Sequence, residues 1–211
     1  MELRSADDLR TIYREASGAP VDKVIGSLDQ HCVDFLARSP MMILSTADAE
    51  GNCDGSPKGG APGFAQALDP NRLAWADLSG NNRLDSFENV VRNDKVALLF
   101  MIPGFNETLR VNGTCELSTD SELCERFALD GTPARVVAVV TLSEAYIHCS
   151  KAFRRSSLWQ PDTWLDLDDL ATGACMVRDH ASVEIDDELL HAWYEKDVDQ
   201  TMWQPGGDTP A

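Results

Sequence analysis

Residues 74–112 read AWADLSGNNRLDSFENVVRNDKVALLFMIPGFNETLRVN. The stretch divides into a strand, a polar Gly/Asn turn carrying an arginine, a short helix, an apolar strand, a tight turn and a further strand. The turn is the informative part. It offers backbone N–H groups, a cation and a helix start in one place, which suits a phosphate-bearing ligand. The chain as a whole has a formal net charge of −17, so an anion site here has to be built locally. Three strands around one short helix also point to hairpin-connected β structure, and the flanking sequence follows the same plan.

Upstream, Ser5 with Asp8 predicts a capped helix through about residue 15. Pro20 opens a second, with Val24, Ile25, Leu28, Cys32, Phe35 and Leu36 at helical spacing. Residues 41–46 form a short apolar run before the turn signal DAEGN, hence a strand and hairpin with residues 53–58 as its partner. DPN at 69–71 is a turn, and 73–77 a strand. Residues 83–92 read as helix with Leu84, Phe87, Val90 and Val91 on one face, 95–102 as a buried strand, and 107–117 as an alternating strand. Thr119 with Glu122 predicts a capping box for a helix to about residue 129. Residues 134–142 are a fully apolar β-branched strand and 144–149 another, and 186–203 is the clearest tail helix.

Six or seven strands with few long helices between them favour an antiparallel barrel over a doubly wound sheet. The expected fold is mainly β with flanking helices, in one domain. Helices occupy residues 1–38, the barrel residues 39–160, and an acidic helical flank residues 161–211. Residues 161–211 hold 13 acidic and 2 basic side chains, against 22 and 16 in residues 1–160. The middle of the chain is thus free to form a cationic pocket.

Charge and composition exclude several classes. An acidic chain lacks the basic footprint that nucleic acid and anionic membranes require. No apolar run approaches the roughly 20 residues of a membrane span. MELRSADDLR at the N-terminus is charged and lacks the apolar core of a secretory signal. The six cysteines are scattered without a C-x-x-C pair, which fits reduced thiols. A cytoplasmic location is the expectation, and the sequons at Asn106 and Asn112 then carry no weight. No nucleoside-triphosphate loop, Rossmann fingerprint, H-E-x-x-H or G-x-S-x-G occurs. His148 and Cys149, as neighbours on a strand, point to opposite faces, so no metal site is expected.

What remains is a set of cations: Lys58, Arg83, Arg110, Lys151, Arg154 and Arg155. Lys58 lies in SPKGG, whose glycines allow close backbone approach. Arg83 opens a helix, where its charge opposes the dipole unless an anion is bound there. Arg110 alternates with core residues on its strand. Lys151 and Arg155 lie four apart and share a helix face, with Trp159 one turn on.

The segments SPKGGAPGF, DLSGNNRLDSFENVVRNDKVALLFMIPG, ETLRVNG and HCSKAFRRSSLW closely resemble the pyridoxamine 5′-phosphate oxidase-like FMN-binding proteins, over about residues 30–160. The resemblance is to the branch of FMN-dependent enzymes of unassigned substrate. It implies an FMN-binding split β-barrel of Greek-key type, and a homodimer with FMN in the groove between subunits. It implies that Ser56 and Lys58 are first-strand FMN contacts. Asp77 with Asn81, Asn82 and Arg83 forms the flavin-edge and phosphate segment, and Ser86 caps nearby. Thr108 and Arg110 reach the flavin of the partner subunit, and Lys151, Arg155 and Trp159 form a motif near the cofactor. Asn82 stands where relatives often carry a second basic residue. The chain beyond Trp159 does not resemble the substrate-binding end of true pyridoxamine phosphate oxidases. The implied activity is FMN-dependent oxidoreduction of a small molecule through flavin N5, with NAD(P)H as a candidate donor. The alternative is a non-catalytic store or binder of flavin, or of another anionic cofactor such as haem.

Overall fold

A computed structural model describes residues 2–207. The apolar and alternating runs form seven strands: β1 (Met41–Ala47), β2 (Cys53–Gly59), β3 (Ala65–Asp69), β4 (Arg72–Ala76), β5 (Lys95–Met101), β6 (Thr108–Ser118) and β7 (Val137–His148). They make one sheet in the order β2-β1-β5-β6-β7-β4-β3, antiparallel at every pairing. The hairpins β1–β2, β3–β4 and β5–β6 are local. The chain crosses from β2 at one edge to β3 at the other, so the two halves of the sheet are interleaved in sequence. This is the mainly β, helix-flanked antiparallel architecture expected.

Alternation explains the core. Met42, Leu44, Leu98, Phe100, Leu109, Val111 and Val140 are fully buried on one face of the sheet. α3 (Gln30–Leu36) adds Cys32, Phe35 and Leu36 to them, and α4 (Asp85–Arg92) adds Val90. On the other face, Ala74, Val137 and Val139 pack against Cys124 and Phe127 from α5 (Ser121–Arg126) and its C-terminal cap. Burial of thiols in these layers pushes Cys32 up to about 11 and Cys115 to about 12, so both stay protonated at neutral pH. Among the described residues no helix is long and apolar enough to cross a membrane.

Several boundaries differ from the sequence reading. The Ser5–Asp8 capping box is present, but α1 (Ala6–Arg10) ends well before residue 15. The second helix is two: α2 (Ala19–Asp22) and α3, separated by an extended segment. There Ile25 exchanges backbone hydrogen bonds with Ala145 at 2.9 and 2.8 Å. Asp29 then restarts the helix by accepting the Cys32 N–H at 2.9 Å. Of the apolar residues at helical spacing, Ile25 therefore serves a bridge to β7 while Leu28 packs in the core. α5 is capped by Asp120, whose carboxylate accepts the Leu123 N–H, and not by Thr119. β3 was missed, because AQALD contains no β-branched or aromatic residue and is held by pairing with β4.

The two strands expected at 134–142 and 144–149 are one. Asn112 faces Glu144 while Gly113 faces Leu142, leaving Ser143 as the extra residue of a bulge. Gly113 is required there, since a Cβ would lie 2.1 Å from the Thr141 carbonyl oxygen. After β7 come α6 (Lys151–Ser156), α7 (Gly173–Ala181) and α8 (Asp187–Thr201), the last two packed on each other.

Candidate functional site

β2 pairs with β1 so that Thr46, Leu44 and Met42 lie opposite Asp54, Ser56 and Lys58. Cross-strand partners share a face. β2 therefore continues the core face of β1 with three polar side chains, and the core opens there into a cavity. The end of β4 and the turn at residues 78–84 form the other wall, and the first turn of α4 closes it. A cavity of about 170 Å³ is lined by Asp54, Ser56, Lys58, Asp77, Asn81, Asn82, Arg83 and Ser86, with Leu78, Leu84 and Phe87 among the apolar contributors. An adjoining cavity of about 450 Å³ shares Ser56, Lys58, Asp77 and Asn81 and adds Phe64, Trp75 and Met202. Seven of the expected contacts are thus in one place.

The turn is conformationally specialised. Asn81 Oδ1 accepts the Arg83 N–H at 3.1 Å. Asn82 and Leu84 hold φ of 54° and 60°, costly for a leucine and tolerated only where surroundings impose it. Leu84 is the N-cap of α4 and offers no side-chain cap. The first-turn residues Asp85, Ser86 and Phe87 line the cavity beneath it. An uncapped helix start facing a cavity is a ready anion site.

Charge is more evenly balanced than the cationic pocket expected from sequence. Asp54, Asp77 and Asp85 line the same cavity as Lys58 and Arg83. The Arg83 side chain is 77% exposed and its Nε donates to Asp85 at 2.6 Å. Ser86 caps nothing; its hydroxyl donates to the Asp54 carboxylate at 2.5 Å. The Lys58 ammonium lies 5.3 Å from the centre of the Phe87 ring. Burial pushes the Asp77 carboxyl above its ordinary value, while Lys58 pulls it back.

The other five expected residues lie elsewhere on the protomer. Thr108 is buried and pairs with His148. Arg110 Nη1 donates to the Tyr146 hydroxyl at 2.9 Å. Lys151 and Arg155 are exposed on α6. That helix ends at Ser156 with a left-handed Ser157, so Trp159 does not continue their face. Instead it stacks on Phe153 with ring centres 5.7 Å apart and donates to the Phe105 carbonyl at 2.9 Å. None of the five lines the cavity beside Arg83. Asp54 was overlooked, although it alternates with Ser56 and Lys58 at the strand period. Gly207 and Met202 carry no sequence signal that places them here.

The model of the pyridoxamine 5′-phosphate oxidase family matches residues 28–149. The chain belongs to that family. Among curated proteins there is no match. Solved structures with a related fold include a Lactobacillus delbrueckii candidate pyridoxamine 5′-phosphate oxidase. It is 24% identical over 58% of this chain and 95% of that one, with a TM-score of 0.46. HupZ of Group A Streptococcus is 16% identical over 57% and 93%, with a TM-score of 0.44. A Syntrophomonas wolfei FMN-binding protein is 12% identical over 55% and 87%, with a TM-score of 0.42. The pyridoxamine 5′-phosphate oxidase match includes β2, the 78–84 turn, α4 and β6. It stops before α6 and before the segment carrying Met202 and Gly207.

A flavin phosphate is tested against these residues by their chemistry. The uncapped start of α4, Arg83 and Lys58 supply the donors a phosphate monoester wants. Phe87, Leu78 and Trp75 supply apolar walls. The Trp75 Nε1 is a buried donor with no acceptor among the described residues, and Trp75 borders the larger cavity. The larger cavity, about 450 Å³, is on the scale of small-molecule sites, about 300–1,000 Å³. The residues fit the group.

Proposed function

We propose that the chain is an FMN-dependent oxidoreductase acting on a small molecule, as a homodimer with the cofactor between subunits. The observation carrying this reading is the meeting of Ser56, Lys58, Asp77 and the 81–83 turn at an uncapped helix start. Bound FMN supplies hydride exchange at its N5, so the protein's own work is to bind, orient and exclude water. Arg83 leaves Asp85 for the phosphate, and Lys58 adds a second cation. Backbone N–H groups of the first turn of α4 complete the phosphate shell. Asp77 and Ser56 bond the polar edge of the ring system, and Phe87 and Leu78 exclude water from its faces.

Charge balance favours a shared site. One protomer brings three carboxylates and two cations to the cavity, a poor match for a dianion. Thr108, Arg110, Lys151, Arg155 and Trp159 lie outside that cavity, and in the proposed dimer the cations among them, brought by a second copy, add the missing positive charge. NAD(P)H is the proposed reductant.

The test is to mix purified protein with FMN, remove excess by dialysis, and add NADPH or NADH without oxygen. Retained yellow flavin that bleaches, then recovers in air, is the expected result. Retention without bleaching by any reductant points to a flavin store, and a colourless protein after dialysis overturns the cofactor. Arg83→Ala is expected to weaken FMN binding by about tenfold to a hundredfold, as loss of a charged hydrogen bond of about 1.5–3 kcal/mol dictates. An unchanged Kd by fluorescence quenching removes Arg83 from the phosphate shell.

A further inference from the structure

Residues 204–207, well beyond the family match, form a strap across the candidate pocket. The Ser79 N–H donates to the Gln204 carbonyl at 2.8 Å and the Gly206 N–H to the Asp77 carbonyl at 3.0 Å. Leu78 and Pro205 thereby pair as an antiparallel bridge. The strap thus clamps both sides of Leu78, just ahead of the turn that carries Asn81, Asn82 and Arg83. Arg135 Nη1 donates to the Gly207 carbonyl and ties down the end of the strap.

Its approach is closer than any side chain permits. A Cβ at Gly206 would lie 2.0 Å from Asp77 Oδ2 and 3.0 Å from the Leu78 carbonyl oxygen. Gly207 has φ of 84°, a left-handed conformation suited to glycine. Gly207 lines the cavity beside Arg83, and Met202 borders the adjoining one. On its other side, Gly207 also lines an apolar groove of about 440 Å³ with Leu84, Phe87, Val91, Leu117 and Val136. The strap therefore lies between the anion pocket and this groove, with Asp77, Asn82, Leu84 and Phe87 lining both.

We propose that this strap is a working wall of the pocket, which holds Asp77 in place and governs escape of a bound phosphate monoester. The ligand identity rests on the FMN reading above; the wall itself does not. Pro205, Gly206 and Gly207 bring no large apolar side chain, and backbone hydrogen bonds hold them. Segments secured in this way open locally without global unfolding. Opening removes this wall beside the phosphate shell while leaving the β-sheet core intact.

Two variants test the wall: Gly206→Ala, which drives a methyl into Asp77, and a chain ending at Trp203. FMN release is followed by recovery of its fluorescence on dilution. Acetylation of the Lys58 amine in ligand-free protein is followed by mass spectrometry. Both variants are expected to release FMN roughly tenfold faster, a change of about 1.4 kcal/mol in barrier, and to acetylate Lys58 several-fold faster. Thermal melting of the shortened chain is expected to stay that of the full chain, whereas Gly206→Ala, with its methyl against Asp77, is read on release and labelling alone. Equal release rates and equal labelling in the shortened chain overturn the wall. If the full chain binds no FMN, the cofactor reading fails separately, and Lys58 labelling alone decides the wall. If Gly206→Ala does not fold, the shortened chain decides it.

Discussion

Asp77 carries a carboxylate that burial pushes above its ordinary value of 3.8, with Lys58 opposing that shift. The fold therefore favours the protonated form. Its contribution to stability is complete below pH 3.8 and is lost as pH rises through the raised folded value. At neutral pH the buried charge is a cost that the Lys58 ammonium partly offsets. Asp77→Asn, measured without ligand, is expected to raise the melting temperature at pH 7, and the gain is expected to vanish below about pH 3.8. A variant less stable than the parent at pH 7 means that the Lys58 attraction dominates instead. Lys58 and Arg83 were legible from sequence because each stands beside glycines or a turn, where a cation on a strand or helix start has no structural reason to be. Ser86 was legible as a neighbour but not in its role, since its bond to Asp54 spans 32 residues of chain.

At the scale of elements, hydrophobic period decided what could be read. β1 and β5 are apolar or alternating, and their positions follow from that alone, whereas the same signal divides β7 into two strands. β3 has neither property and exists because β4 offers it an edge. The break between α2 and α3 was hidden for a related reason: Ile25 satisfies a helical spacing but is used by Ala145 across the sheet. The β6–β7 bulge was also illegible, because its cause is the close approach of Gly113 to Thr141 on a distant strand. That approach makes a sharp prediction. Gly113→Ala places a methyl against a carbonyl oxygen in the middle of the sheet, where neither strand can move without breaking its ladder. The expected loss is about 3 kcal/mol, at the upper end of overpacking costs, read as a lower urea midpoint with an unchanged slope. Alanine at Gly55, which has open space around its Cβ position, is the control and is expected to shift the midpoint far less. Equal midpoints for parent and Gly113→Ala contradict this account of the bulge.

For the whole molecule, the expected contacts divide between the cavity beside Arg83 and positions outside it. The cavity beside Arg83 holds Ser56, Lys58 and Asp77, whereas Arg110 is joined to Tyr146 and Lys151 rides on α6. The resemblance implies part of this split, since it assigns Thr108 and Arg110 to the flavin of the partner subunit, but it leaves Lys151, Arg155 and Trp159 unassigned to either subunit. In the two-fold dimer proposed above, each site would take the Arg83 group from one subunit and the Arg110 group from the other. The geometry can be tested by complementation. Arg83→Ala and Arg110→Ala homodimers are each expected to bind FMN about tenfold to a hundredfold more weakly, since every site in them lacks one cation. A heterodimer of the two, purified through different tags, concentrates both defects in one site and leaves the other intact. It is expected to bind FMN with parental affinity at half the parental content, by absorbance after dialysis. If Arg83 and Arg110 instead serve the same pocket of one protomer, both heterodimer sites are defective. The preparation then binds no better than either homodimer, and the shared groove is ruled out.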